Sequence, residues 1–506
     1  MERFKNILKS FYEKLKEYKN LIVLLLLGFC LTFIGLSAHS FVFDEIFSLY
    51  VSKSFNEMTK ILWEQEANMW FYYFILHFWQ KLGTGEFIVR SLSVIIGSAS
   101  LVVTWLVANK LLGRKVALIS VFLMLINVYF IITAQLARGY ILSLFLTLVS
   151  MYFFINFDNK KGRIFYIVST TLSVYTHFYA GFIFLSQILT AILTKKFKNY
   201  RLSFLTIAAF LSPILLSPSI HSHQVDWIVK PTLINLVGTS FVFTGDYPPL
   251  LVIYSFLFII LIPHLVENLK DPKYKLILLW LITPVMTSFL ISVLVKPIFQ
   301  SVYFLTSLPP FVILSGLAIN NISKKHIKYL MLSTIFVLSI LRLSLWYRGD
   351  TRYKWVFRNN EDDYRQAVNF VNREANEGDV IAFYGYNNKL PYEFYSERNK
   401  LVYSERNKLV YSQSNFGLKK DIPEVLEIAT GSYRLGGGDY LPKPNLEMLS
   451  NLKNERVWLL VKYSDRGFLD RDEQVLEIKM ALKDIYQVER VYEFPGLQLV
   501  LYAHES

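Results

Sequence analysis

Cysteine is all but missing from this chain of 506 residues: Cys30 stands alone. No intrachain disulfide can brace any part of it, least of all an outer domain. Cys30 falls inside the first long apolar run and reads as a small apolar packing residue. That run has no small-residue cleavage site and is followed by further runs, so a cleavable secretory signal is not expected. Charge is nearly absent from the middles of the apolar runs. A transporter usually sets ionisable groups near the bilayer midplane. The scarcity therefore counts against the competing class, a polytopic transporter or lipid flippase. No soluble face gathers basic residues as a DNA or RNA binder would, so the net charge of +14 does not imply a nucleic-acid partner.

What the chain has in abundance is apolar sequence, 53% hydrophobic and 16% aromatic, concentrated in the first two-thirds. At roughly 17–20 apolar residues per crossing, eleven spans are expected. They begin near Leu21, Phe87, Val116, Ile141, Ile164, Ala180, Leu202, Leu250, Leu276, Val302 and Tyr329. Basic residues crowd the N-terminus (Arg3 to Lys19) and alternate loops: Lys110/Arg114/Lys115, Lys160/Lys161/Arg163, Lys195/Lys196/Lys198/Arg201, Lys270/Lys273/Lys275 and Lys324/Lys325/Lys328. The intervening loops carry only Lys53, Lys60, Lys81, Arg138, Lys230 and Lys296. This asymmetry predicts a cytoplasmic N-terminus, and an odd number of spans then puts the C-terminal region outside. Most of the positive charge is accounted for by this signal, with anionic lipid headgroups as partner.

The expected fold class is thus a polytopic α-helical membrane protein of about 11 transmembrane helices with a C-terminal extracytoplasmic α/β domain. Residues 1–346 form the membrane domain and 347–506 the soluble one. In the first outer loop, 39–86, Asp44 to Trp63 follows helical spacing and predicts an interfacial helix, with a second aromatic-rich segment from Phe71 to Trp79. Beyond Trp346, helices are expected at Glu361–Glu374 and Asp472–Tyr486. Strands are expected at Asp379–Gly385 and Arg456–Ser464, and at Val491–Ala503 with a break at Pro495-Gly496. The octapeptide Tyr395–Val402 recurs without change as Tyr403–Val410. Two short copies do not make a solenoid; they read as a duplication accepted in a surface loop.

The ionisable residues of the membrane part gather at the expected outer ends of spans: Asp44, Glu45, Glu66, Arg90, Arg138, His177, Asp226, Lys230, Asp246 and Lys296. Two adjacent carboxylates at a span's outer end are costly unless they face water, a cation or a substrate. An enzyme acting on a lipid headgroup needs its ionisable groups at that depth. Three ordered motifs sharpen this: Phe43-Asp44-Glu45, then Glu66-Ala-Asn68-Met-Trp-Phe-Tyr72-Tyr73, then Gln135-Leu-Ala-Arg138-Gly-Tyr140. In this order the first 350 or so residues resemble the polyprenyl-phosphate-dependent glycosyltransferases of the C-type superfamily. That group includes protein O-mannosyltransferases, the lipid A aminoarabinose transferase and a bacterial branch acting on lipopolysaccharide cores. Met69-Trp70 stands where that family commonly has Pro-Pro. Lys296-Pro-Ile-Phe-Gln-Ser-Val302-Tyr303 keeps a family tyrosine but has valine where an arginine is expected, and Lys296 could supply the missing cation.

The resemblance implies transfer of one sugar from a polyprenyl-phosphate donor to an acceptor glycan, lipid or protein outside the plasma membrane. A lipid phosphate is already a good leaving group, so inversion needs one carboxylate base and cations for the departing phosphate. Asp44 fits the base, against the alternative of a helix-capping role. Arg138, with His177 or Lys296, fits the phosphate clamp, because arginine's fork suits phosphate oxygens. Snorkelling at a helix end and a satisfied interfacial histidine are the respective alternatives. Glu45 and Glu66 fit orientation of sugar hydroxyls, and the motifs add Asn68, Tyr72, Tyr73, Tyr140 and Tyr303 as substrate contacts. This chemistry requires no cofactor, although a divalent cation (Mg or Mn) held by Asp44, Glu45 and Glu66 would fit it. His221 and His223 are too few for zinc. Asp226-Trp227 lies in a long loop that reads either as a connector or as a wall of an acceptor cavity.

Overall fold

The computed structural model describes residues 2–64, 66, 68–218, 228–348, 363–376, 379–383, 390–396, 424–427, 456–462 and 469–503. The chain divides into two compact units: Met1–Leu36 with Ser52–Asn359, and Ser37–Val51 with Asn360–Ser506. The second unit therefore takes in the segment bearing Asp44 and Glu45, which differs from a simple split at residue 346.

The first unit is helical because apolar residues in a bilayer must satisfy every backbone polar group within the segment. It opens with α1 (Glu2–Phe33), then α3 (Phe55–Glu64) and α4 (Trp70–Trp79). The long α5 (Glu86–Leu112) follows, with α6 (Arg114–Leu125) and the short α7 (Val128–Ala134), bent from α6 by 62°. Next come α8 (Tyr140–Ile155), α9 (Lys160–Thr176), α10 (Ala180–Leu193) and α11 (Phe197–Leu216). After α12 (Leu233–Phe243) run α13 (Pro248–Asn268), α14 (Pro272–Leu294), a 3-10 helix (Ser301–Ser307), α15 (Leu308–Asn321) and α16 (Lys325–Tyr347). All eleven expected span starts fall on helices. Among the described residues, five helices qualify as crossings by length and composition alone, or six if the bent α6–α7 pair counts as one. The remaining expected crossings, α1, α8, α9, α10 and α11, are shorter or carry more polar residues. The protein is a multi-pass helical membrane protein.

Close approach between helices uses small residues, as packing within lipid requires. A Cβ on Gly316 of α15 would lie 2.7 Å from Ser120 Oγ and 3.3 Å from the Val116 carbonyl of α6. Asn127 ends the bend before α7: its side chain accepts from Phe130 N at 3.2 Å and donates to the Phe243 carbonyl at 2.8 Å. Trp280 is fully buried on α14 and donates to the Thr306 carbonyl at 2.8 Å, tying α14 to the 3-10 helix.

The second unit contains α2 (Phe43–Ser52) apart from its last residue, α17 (Tyr364–Glu374), a helical stretch α18 (390–396) and α19 (Leu469–Lys483). Its strands are β1 (Val380–Phe383), β2 (Glu424–Glu427), β3 (Arg456–Lys462), β4 (Gln487–Phe494) and β5 (Leu497–Ala503). They form a sheet in the order β2-β1-β3-β5-β4. β1 runs parallel to β2 and β3, whereas β5 is antiparallel to β3 and β4. The hairpin between β4 and β5 turns at Pro495-Gly496, with Gly496 at φ 69°. At the start of β1, buried Asp379 accepts from Trp458 Nε1 at 2.7 Å and Asn376 N at 2.9 Å, and pairs with Arg456 at 3.0 Å.

Three expectations change. The single interfacial helix over Asp44–Trp63 is two helices, because Ser54 starts a new one: its carbonyl accepts from Met58 N at 2.8 Å and its hydroxyl meets Glu57 N at 3.5 Å. Cys30 is exposed on α1 rather than packed inside the chain. The long loop from Ser217 to Pro248 holds the apolar helix α12. His221, His223 and Asp226 lie outside the described residues, as does the octapeptide beyond Ser396.

Candidate active site

In the first unit, the second and third motifs interlock. Met69, in a left-handed conformation at φ 65° and ψ 21°, turns the chain into α4. Asn68 sets that turn, its Oδ1 accepting from Met69 N at 3.1 Å and from Phe178 N at 3.3 Å, beyond the end of α9. Tyr72 and Tyr73 are fully buried on the first turns of α4. Arg138 Nη1 donates to Tyr73 Oη at 3.0 Å. Next to it, a Cβ on Gly139 would come within 3.3 Å of Tyr72 Cβ, the Thr176 carbonyl and Met69 Cγ. Three chain segments meet closely here, and a side chain at this position would require its neighbours to give by a few tenths of an ångström.

Around this turn lies a cluster of rings. Tyr140 and His177 have centroids 5.3 Å apart, and Tyr303 stacks on Tyr140 at 5.9 Å and meets His177 edge-on at 5.2 Å. Tyr179 closes the group, 5.5 Å from His177 and 5.3 Å from Tyr303. Its hydroxyl donates to the Ile298 carbonyl and accepts from Gln300 N at 3.2 Å. Ser292 Oγ accepts from Ile298 N and Phe299 N at 2.9 and 2.8 Å. The segment from Lys296 to Tyr303 is thereby held against the end of α14. The carbonyl of Val302, at the position of the expected arginine, accepts from Tyr129 Oη at 2.7 Å. Lys296 is half-buried at the start of this segment. Glu66 is also half-buried; its N–H donates to the Ile61 carbonyl at 2.9 Å, closing the last turn of α3.

Asp44 and Glu45 belong to the second unit, in the first turn of α2, where negative charge is favoured by the helix dipole. The two carboxylates are used differently. Glu45 is fully buried and its Oε2 accepts from Val42 N at 3.1 Å, reaching back to cap its own helix. Asp44 is exposed, while Glu45 through Leu49 are buried. Glu45 thus makes a capping contact at the start of α2.

The contacts of several residues here were not foreseen from the motifs. Gln135, buried, donates from Nε2 to the carbonyls of Thr32 and Ile34 and to Tyr347 Oη, at 3.0, 2.8 and 2.8 Å. The first residue of the third motif therefore anchors the end of α1. Arg342 on α16 is fully buried and donates from Nε to the Gly245 carbonyl at 3.0 Å, beside buried Asp246 at φ 58°. A lone arginine in the last apolar helix was the available signal. Tyr179 had only its place in an aromatic run. Among the described residues no three His, Cys, Asp or Glu side chains are grouped as metal ligands.

The chain shares its fold with several solved structures. The chain matches ArnT from Cupriavidus metallidurans bound to undecaprenyl phosphate with a TM-score of 0.58 and 10% identity, over 96% of this chain and 98% of that one. It matches apo ArnT at 0.61 and 10% identity, over 95% and 97% of the two chains. The Archaeoglobus fulgidus oligosaccharyltransferase, tethered with an acceptor peptide, matches at 0.51 and 10% identity, over 97% of this chain and 74% of that one. No family model matches the sequence, and no curated protein matches it.

Proposed function

We propose that this protein is an integral membrane glycosyltransferase that moves one sugar from a polyprenyl-phosphate carrier to an extracytoplasmic acceptor glycan, lipid or protein. The observation that carries the reading is the joining of Arg138 to Tyr73, each from a different motif, beside the Tyr140–His177–Tyr303 rings. The likeness to ArnT over nearly the whole of both chains supports the same class. The alternating basic loops support a cytoplasmic N-terminus and an outer second unit.

In this reading an acceptor hydroxyl attacks the anomeric carbon as the carbon–oxygen bond to the lipid phosphate breaks. The bonding pair leaves with the phosphate, the configuration inverts, and the acceptor's proton passes to Asp44. Arg138 offers charge-assisted hydrogen bonds to the phosphate as its negative charge grows. Tyr73, hydrogen-bonded to the guanidinium, orients it. Lys296 supplies a second positive charge, and Glu66, Asn68, Tyr72, Tyr140, His177 and Tyr303 contact the donor. Glu45 drops out of the sugar-binding set, because its carboxylate holds the start of α2. A divalent cation enters this proposal as a companion of the donor phosphate. No step is routed through it.

The test is transfer from a radiolabelled polyprenyl-phosphate sugar by the full chain in proteoliposomes. Label in a new glycosidic bond supports the reading. Label that crosses the bilayer without forming that bond would identify a flippase and overturn it.

A further inference from the structure

The segment carrying Asp44 is held by residues of the C-terminal part of the chain, all within one compact unit. Tyr395 on α18 is 1% exposed, and its hydroxyl accepts from Phe41 N at 2.7 Å. The neighbouring Phe394 ring meets Phe41 edge-on at 5.8 Å. From α17, Arg365 donates Nη1 and Nη2 to the Ser37 carbonyl at 3.3 Å each, and Nη2 also to the Ala38 carbonyl at 3.3 Å. α17 is fixed in turn: Asp363 caps it through Gln366 N at 3.0 Å, while Asp363 N donates to the Pro495 carbonyl at 3.0 Å in the β4–β5 turn. Glu45 completes the set through Val42 N.

Backbone groups at 37, 38, 41 and 42 are thus taken by side chains immediately before α2 begins, and between His39 and Leu49 the one exposed residue is Asp44. Such side-chain grips supply hydrogen-bond partners to backbone groups of an irregular segment. They also determine where the first turn of α2 points its carboxylate. We propose that Tyr395, assisted by Arg365, is a positioning residue for Asp44, so that the C-terminal α/β unit takes part in transfer by fixing the base. This rests on the reading of Asp44 as the base. It also gives a role to the first residue of the repeated octapeptide.

The experiment uses the full-length protein in nanodiscs and reads two quantities. Hydrogen exchange by mass spectrometry follows the amides of 39–48, and steady-state transfer gives kcat and donor KM. Tyr395→Phe removes one hydroxyl. Exchange at 41–46 should accelerate, kcat should fall roughly tenfold as the base loses its geometry, and donor KM should stay within about twofold. Arg365→Ala should behave alike, with recovery in Arg365→Lys, which still donates to a carbonyl. Tyr395→Phe combined with Asp44→Asn should be no slower than Asp44→Asn alone. Unchanged exchange, or faster exchange with unchanged kcat, would overturn the proposal, as would a rise in KM at constant kcat. If Tyr395→Phe fails to fold, the Arg365→Ala and Arg365→Lys pair decides by the same criteria. Wild-type turnover in Asp44→Asn would instead sink the reading of the base, while the exchange data would still report the grip on the segment.

Discussion

Asp44 and Glu45 are chemically near-equivalent neighbours, yet burial assigns them opposite work. Glu45, buried, satisfies a backbone N–H that the helix start leaves orphaned, whereas Asp44 stands exposed on the same turn. Asp44→Asn should therefore keep the fold, since an exposed, isosteric change touches no packing. Its turnover should fall about 10²–10⁴-fold, the usual contribution of a positioned base, or about 3–5 kcal/mol at about 1.36 kcal/mol per decade. Purified variant assayed for transfer checks this; more than about a tenth of wild-type rate would pass the role to Glu66. Arg138→Ala should show the opposite bias. Losing a charge-assisted contact of about 1.5–3 kcal/mol should weaken donor binding roughly ten- to a hundredfold as well as slow transfer. Titration of labelled lipid donor against both variants separates the two effects.

Among the elements, the duplicated octapeptide offers an unusually clean test. Deleting Tyr403–Val410 or Tyr395–Val402 yields the same chain, because the copies are identical. Either way a Tyr-Ser pair follows Phe394, so the hydroxyl that accepts from Phe41 N is retained. Since loop closure costs only about 0.6 kcal/mol per doubling of loop length, the deletion should leave expression and activity nearly unchanged. A loss of folding would show that the second copy packs as a structural element. The sheet is far less forgiving. Asp379→Ala strips the acceptor from Trp458 Nε1 and Asn376 N and leaves Arg456 without its partner. Breaking a buried pair costs about 3–5 kcal/mol; with Arg456 partly exposed, about 2–3 kcal/mol is expected here. Limited proteolysis of the full chain in rising denaturant should show the second unit yielding earlier than in wild type.

For the whole molecule, the alternation of basic loops makes a directional claim. A reporter active only outside the cytoplasm should be active when fused after Trp346 and silent when fused after Lys161 or Lys325. Cytoplasmic signal after Trp346 would reverse the sidedness and place the second unit away from the proposed acceptor. The division into two units also bears on the proposed transfer. Asp44, the proposed base, is carried by a short segment that groups with residues hundreds of positions later rather than with its neighbours in the chain.

Local rules of short range made most of the fold legible. Twenty or so apolar residues have no alternative to helix in lipid, so every expected span start met a helix. Pro495-Gly496 read as a turn, and short runs of mostly apolar residues marked β3 and β5. The second and third motifs, which the structure joins through Arg138 and Tyr73, could also be picked out in the sequence by residue type and order. Three kinds of information were out of reach. The break at Ser54 hinged on a cap competing with a continuous apolar stripe. The buried Arg342 and Asp246, and the structural duty of Gln135, depend on neighbours remote in sequence. Above all, the separation of Asp44 from Glu45 turns on which carboxylate faces Val42 N, and the grip of Tyr395 on Phe41 N spans 354 positions. Residue type and spacing decide what a segment can become in lipid or water. Which of two like groups is buried, and what holds it there, is decided by packing between distant parts of the chain.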